Sequence, residues 1–274
     1  MSTKTNCCIC GTAKNCGKYL PKVFSNIEKI GRLFDNYKIL IYYDKSTDNT
    51  LSSLLEYQKV NKRLLLFIND KKVSRFRTHN IAKGRNFCLN YVMKNMETYK
   101  YFIMMDLDDV NAKNCDEGKL VKYLKRDDWD ALSFQTSPNY YDIWGLSIYP
   151  FCFSYNHFNN SVRHYTIIQK YIDRILKNTK PGDLVPCISA FNGFAIYRTN
   201  KFTNTYYDGK VRYDLLPKHL LNVHKQITAS PSLQFIKYPT VDGRYEDCEH
   251  RAFHIMALNN NAAKLFISSE VIFS

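Results

Sequence analysis

Three carboxylates follow an unbroken apolar stretch in Tyr101-Phe102-Ile103-Met104-Met105-Asp106-Leu107-Asp108-Asp109. Such a stretch reads as a buried parallel strand, and open α/β sheets bind ligands where strands of this kind end. Carboxylates clustered there are costly unless a cation or hydrogen-bond donors neutralise them. Mn²⁺ or Mg²⁺ shared with a substrate diphosphate would do so, because hard oxygen ligands and phosphates are the usual partners of these ions. The plain alternative is a surface turn whose acids cap the next helix.

A second cluster is Tyr245-Glu246-Asp247-Cys248-Glu249-His250-Arg251-Ala252-Phe253-His254. If it opens a helix, Asp247, His250 and His254 share one face at i, i+3 and i+7, and Glu246 pairs with His250 at i, i+4. A carboxylate within about 3 Å of a substrate hydroxyl can take its proton. The structural alternative is mutual pairing of the acids and imidazoles. Asp44 closes an apolar run and is placed to accept hydrogen bonds from a nucleobase or ribose, while Ser46-Thr47-Asp48-Asn49-Thr50 suits a helix start. Arg77, Lys83 and Arg85 precede or open a helical pattern, where the dipole favours a diphosphate; ordinary surface basicity is the rival reading. Trp144, Tyr140 and Tyr141 offer faces for sugar stacking or, as readily, for core packing.

The elements that must position these residues follow a βαβ rhythm. Strands are expected at Asn6–Gly11, Lys38–Tyr43, Arg63–Ile68 and Tyr99–Met105, with helices at Tyr19–Phe34, after Ser46, and at Ile81–Met96. The second half is less regular. It holds strand-like pieces at Asp130–Phe134 and Ala190–Arg198, an aromatic stretch from Tyr140 to Phe158, and a helix at Ser161–Asn178. The fold class is α/β, and the 274 residues are read as a single domain, 1–110 serving one substrate and 111–274 the other.

Apolar content of 45% marks a globular chain. The formal charge of +14 implies an anionic partner, yet the cations are dispersed and no nucleic-acid motif is present, so nucleic acid is not expected. No stretch reaches the length of a membrane span, and Met1–Asn6 lacks a signal-peptide core, so a soluble, cytoplasmic protein is expected. Nine cysteines, an odd number, argue against a disulfide framework. Cys7, Cys8 and Cys10 fall in the first strand, where Cys acts as a small apolar residue, rather than in a zinc-site pattern.

Tyr43-Asp44-Lys45-Ser46-Thr47-Asp48-Asn49-Thr50, Ile81-Ala82-Lys83-Gly84-Arg85-Asn86 and Asp106-Leu107-Asp108 resemble, in order, three signatures of family 2-like glycosyltransferases of the GT-A fold. Arg77–Asn86 and Met105–Asp109 look closer still to glycosyltransferases encoded by giant DNA viruses, and more distantly to fungal capsule-associated mannosyltransferases. Trp129–Phe134 and Tyr141–Leu146 are similar to that viral group too. A viral protein would sit in the host cytoplasm or the virion.

The resemblance implies a mostly parallel sheet flanked by helices, a UDP- or GDP-sugar donor, a glycan or glycosylated acceptor, and Mn²⁺ or Mg²⁺. It implies donor contacts from Asp44, Arg77, Lys83, Arg85 and Asp106, and metal ligands among Asp106, Asp108 and Asp109. Ala190–Ala195 is similar to the strand that flanks the donor sugar, which brings in Asn192 and Gly193. Asp247 is expected as the base of an inverting transfer, with Glu246 orienting the acceptor or a helix and His250 or His254 completing the metal shell. Two rivals stand beside this reading: a basic nucleic-acid-binding or two-metal phosphoryl-transfer protein, and a catalytically silent glycan-binding relative.

Overall fold

In the computed structural model, residues 5–71, 74–158, 160–215, 217–228 and 245–274 are described. The expectation for the first four residues lies outside them. The chain runs β1 (Asn6–Ala13), α1 (Leu20–Gly31), β2 (Asn36–Asp44), α2 (Thr50–Val60), β3 (Leu64–Asn69), α3 (Arg77–Lys94), β4 (Tyr101–Asp106), α4 (Glu117–Leu124) and β5 (Ala131–Gln135). It continues with α5 (Ser161–Asn178), β6 (Leu184–Pro186), β7 (Phe194–Arg198), α6 (Lys218–Thr228), α7 (Glu249–Asn261) and β8 (Leu265–Val271). The strands form one sheet in the order β3-β2-β1-β4-β7-β5-β8-β6.

The first four strands are parallel, and β7 joins β4 and β5 antiparallel. Chain order reverses between β1 and β4, and a crevice opens where such a reversal occurs. Both faces of these strands are covered. Cys7, Ile9, Ile39, Ile41, Ile103 and Met105 enter one core, whereas Cys8, Cys10, Leu40, Tyr42, Phe102 and Met104 enter the other. That is why the strands read as continuous apolar runs instead of alternating ones. All nine thiols are free, as the cysteine count implied.

Three of the boundaries that differ from the sequence expectations bear on the crevice. Helix α3 begins at Arg77, not Ile81, because Glu246 caps it from far along the chain: its Oε1 accepts from Thr78 N and Thr78 Oγ1, both at 3.1 Å. Strand β7 begins at Phe194, not Ala190, because Asn192 and Gly193 adopt φ of 55° and 81° and break the extended backbone. Helix α7 begins at Glu249 with Cys248 as N-cap, so Asp247 lies before the helix and shares no helical face with His250 and His254.

Candidate active site

A cavity of about 660 Å³ opens at the carboxyl ends of β1, β2 and β4, at the point where strand order reverses. Ala13, Asp44 and Asp106 end those strands and line it. The start of α3 adds Arg77, Asn80, Ile81 and Arg85, the loop after β5 adds Tyr141, Asp142 and Trp144, and the start of α7 adds Glu249 and His250. Gly84 lets α3 approach this closely, since a Cβ there would lie 2.7 Å from Thr12 Cγ2 and 2.8 Å from Tyr42 Cδ1.

Arg85 is the buried hinge of the site. Its guanidinium lies 2.7 Å from Asp106 Oδ1 and 2.6 Å from Glu249 Oε1, over the Phe191 ring at 4.4 Å. One cation therefore serves two carboxylates, and Asp108 next to them has no ion-pair partner among the described residues. Burial, then the Asp106 charge, pushes the Asp108 carboxyl up to about 7; its Oδ1 accepts one hydrogen bond, from Val110 N. Asp109 is exposed and does not line the cavity.

Asp44 stays at the cavity, held by Lys14 Nζ at 3.2 Å, by its neighbour Lys45 N and by Asn69 Nδ2. Arg77 faces the cavity, whereas Lys83 is exposed on the far side of α3 and does not line it. Asn192 and Gly193 are positioning residues and not cavity lining. Asn192 Oδ1 accepts from Tyr141 N and Asp142 N, and its Nδ2 donates to Phe134 O. The Gly193 carbonyl accepts from Asp106 N at 2.8 Å and from Asn111 Nδ2 at 2.7 Å. The pair thus fixes both walls of the crevice.

The structure places Asp247 and Glu246 outside the cavity lining. Asp247 does not reach the cavity: Oδ1 accepts from Cys248 N and Oδ2 pairs with Arg251 Nε at 2.9 Å, both buried. Arg251 in turn donates to the carbonyls of Trp144 and Leu146, so this ion pair anchors the loop. Glu246 is the cap of α3 described above. His254 is a core histidine, bonded to Ser189 Oγ at 2.9 Å and Tyr197 Oη at 3.1 Å, and burial lowers it to about 3. Among the described residues, no three His, Cys, Asp or Glu side chains converge as a metal cage, so neither imidazole joins Asp106 and Asp108 in one.

The structure brings in carboxylates that the sequence reading passed over. Glu249 was hidden beside the Glu-Asp pair; its place in the first helical turn, once the N-cap is known, turns it toward Arg85. Asp142 stood only as part of an aromatic segment. Its Oδ1 accepts from Gly145 N, and burial raises its carboxyl to about 6 against the lowering effect of the Gly145 and Asn192 backbone N–H groups.

Polar atoms are also left over at the walls. Trp144 Nε1, Tyr42 Oη and both ring nitrogens of His250 are buried without a hydrogen-bond partner among the described residues. Buried polar groups are normally satisfied, so these call for ligand atoms or water. The His250 ring stacks on Phe191 at 3.8 Å, and burial, then the Arg85 charge, holds it well below its usual range, hence neutral. A neutral imidazole presents one donor and one acceptor, which suits a hydroxyl better than a phosphate oxygen. Tyr140 is fully buried in the core and does not line the cavity.

Residues 8–198 match the glycosyl transferase family 2 model. Over 116 residues the chain is 33% identical to an uncharacterized glycosyltransferase of Haemophilus influenzae, an alignment spanning 42% of this chain and 32% of that relative. Among solved structures, S. aureus TarS 1-349 superposes over 98% of this chain and 59% of its own length, with a TM-score of 0.50 and 11% identity. The same protein in complex with UDP-GlcNAc gives a TM-score of 0.50 at 12% identity, over 98% of this chain and 57% of that one. Likeness at such identity speaks to the fold, a single α/β domain of the GT-A type. The match to the curated relative spans about a third of that protein's length.

Proposed function

The chain belongs to glycosyl transferase family 2, and from that premise we propose that it transfers a sugar from a UDP- or GDP-sugar to a hydroxyl of a glycan or glycosylated acceptor. The observation that carries this reading is the Asp108–Asp106–Arg85–Glu249 arrangement at the crevice. It leaves one carboxylate uncompensated beside a wall of unpartnered hydroxyl-recognising atoms. The UDP-GlcNAc complex of TarS supports a nucleotide-linked donor.

The residues fit a divalent ion. Asp106 and Asp108 offer hard oxygens, burial and then the Asp106 charge lift Asp108, and such ions commonly take only one or two protein carboxylates alongside substrate phosphates. Asp108, with Asp106, would hold Mn²⁺ or Mg²⁺, which when bound neutralises charge on a diphosphate. Arg77 and the start of α3 add positive potential on the same side. Asp44 and Tyr42 face the nucleoside end. Trp144 Nε1 and neutral His250 are suited to sugar hydroxyls.

In the transfer, the acceptor oxygen forms its bond to the anomeric carbon while the bond to the diphosphate breaks, and the diphosphate keeps the electron pair. The acceptor proton passes to the carboxylate of Asp142, which lines the cavity from the loop after β5. Glu249, tied to Arg85, holds that cation over the leaving side. An acceptor arriving from the Asp142 loop, away from the phosphate-side groups, gives inversion. A viral origin rests on the resemblance of the Arg77–Asn86, Met105–Asp109, Trp129–Phe134 and Tyr141–Leu146 segments.

The test is a calorimetric titration of UDP, GDP and their sugars with and without Mn²⁺. Metal-dependent binding of one nucleotide series, lost in Asp108→Asn, is expected. Absence of binding to every member in the folded protein would overturn the reading.

A further inference from the structure

Helix α5 carries a cationic stripe that the cavity does not use. At 3.6 residues per turn, Arg163, Lys170, Arg174 and Lys177 fall within a sector of about 60°. All four are exposed, and among the described residues none has an ion-pair partner. The opposite face packs Ile168, Ile172 and Leu176 against Tyr140, Ile143 and Leu146. The acid of this helix, Asp173, is turned toward that loop, accepting from Tyr140 N and Gln169 Nε2. Unpaired like charge on one face is unfavourable in isolation and calls for an anionic counterpart.

Apolar side chains flank the stripe. Val162 is 76% exposed, Tyr149 65% and Ile167 37%. Tyr149 is fastened to the helix by Tyr171 Oη, which donates to its carbonyl at 2.9 Å. A phosphate backbone would use the cations and gain nothing from these three. A bilayer uses both: cations meet anionic headgroups, aliphatic side chains enter the acyl boundary, and tyrosines settle at the interface.

We propose that the outer face of α5 is a peripheral docking surface for an anionic lipid bilayer, the helix lying in the plane of the interface. The same helix holds the loop of Asp142 and Trp144 through Asp173 and Gln169, so docking would bring the acceptor side of the crevice within about one helix diameter, roughly 10 Å, of the headgroups. The surface is separate from the cavity, and the proposal stands or falls independently of the donor chemistry.

Co-sedimentation of the full chain with vesicles of phosphatidylcholine alone, or with about a third phosphatidylserine, tests it, with nucleotide binding and circular dichroism run in parallel. Binding to the anionic vesicles is expected to be at least about tenfold tighter than to the neutral ones and to weaken with salt. The K170E/R174E double variant should lose about tenfold and Val162→Asp about threefold, with nucleotide binding and helicity unchanged. Wild-type protein that ignores anionic vesicles, or a K170E/R174E variant that binds them as well as wild type, would overturn the proposal. So would tighter binding to a random oligonucleotide that Val162→Asp leaves untouched, which would reassign the stripe to nucleic acid.

Discussion

The Arg85 guanidinium sits 2.6 Å from the Glu249 carboxylate, tying helix α3 to the first turn of α7 across the floor of the crevice. Both side chains are about 95% buried, and the same guanidinium holds Asp106. Replacing a buried cation leaves two uncompensated carboxylates, so Arg85→Met should cost about 3–5 kcal/mol in urea unfolding. Removing Glu249 charge as well, in R85M/E249Q, should recover part of that loss. Additive losses in the two variants would show that the pair is not coupled.

Asp108 gives a pH signature. Its folded pKa of about 7 lies above the ordinary value of about 3.9, so the folded state holds the proton more tightly. Its contribution is therefore fully present below about pH 4 and is lost as pH rises through about 7. Asp108→Asn should flatten the metal-free melting curve over that window, raise the melting point near pH 7.5, and abolish the stabilisation by Mn²⁺ seen in the wild type. Equal Mn²⁺ stabilisation in both proteins would remove Asp108 from the metal.

Asp142 and Asp247 separate by readout. Asp142→Asn should lower kcat/KM by about 10²–10⁴ at unchanged donor affinity, because it removes a proton acceptor. A base must be ionised, so wild-type rate should rise with pH through about 6, and that limb should vanish in the variant. Asp247→Asn breaks the buried pair with Arg251 and should chiefly cost stability, about 3–5 kcal/mol. A variant of Asp247 that keeps its melting point yet loses turnover would restore Asp247 as the base. Retention of anomeric configuration in the product, followed by NMR, would exclude single displacement with either residue as base.

Gly193 is held at φ 81°, and a Cβ there would meet Tyr141 Oη and Val110 Cγ1, both at 2.9 Å. Gly193→Ala should destabilise by about 1–3 kcal/mol, measured by denaturant midpoint. It should also reduce turnover, because the Gly193 carbonyl fixes the backbone of Asp106.

The alternation of apolar runs and helical periodicity, read from the sequence, determined the parallel half of the sheet and the place of Asp44, Asp106 and Asp108 at its edge. These are local properties: a buried strand must be apolar, and polar residues begin where it ends. The span of α5 was legible for the same reason, since its 3.6-residue period covers the helix from Ser161 to Asn178. What only the tertiary structure decided is which carboxylates meet the crevice. Glu246, Asp247 and Glu249 are neighbours in sequence and look equally eligible. Yet one caps α3, one pairs with Arg251 and one pairs with Arg85, because the helix starts at Glu249 and each side chain leaves the backbone in a different direction. Asp142 depends on Asn192, fifty residues away, to hold its loop against the site. Contacts of that range leave no periodic trace in the chain, since their cause is the closing of the sheet and not the spacing of residues.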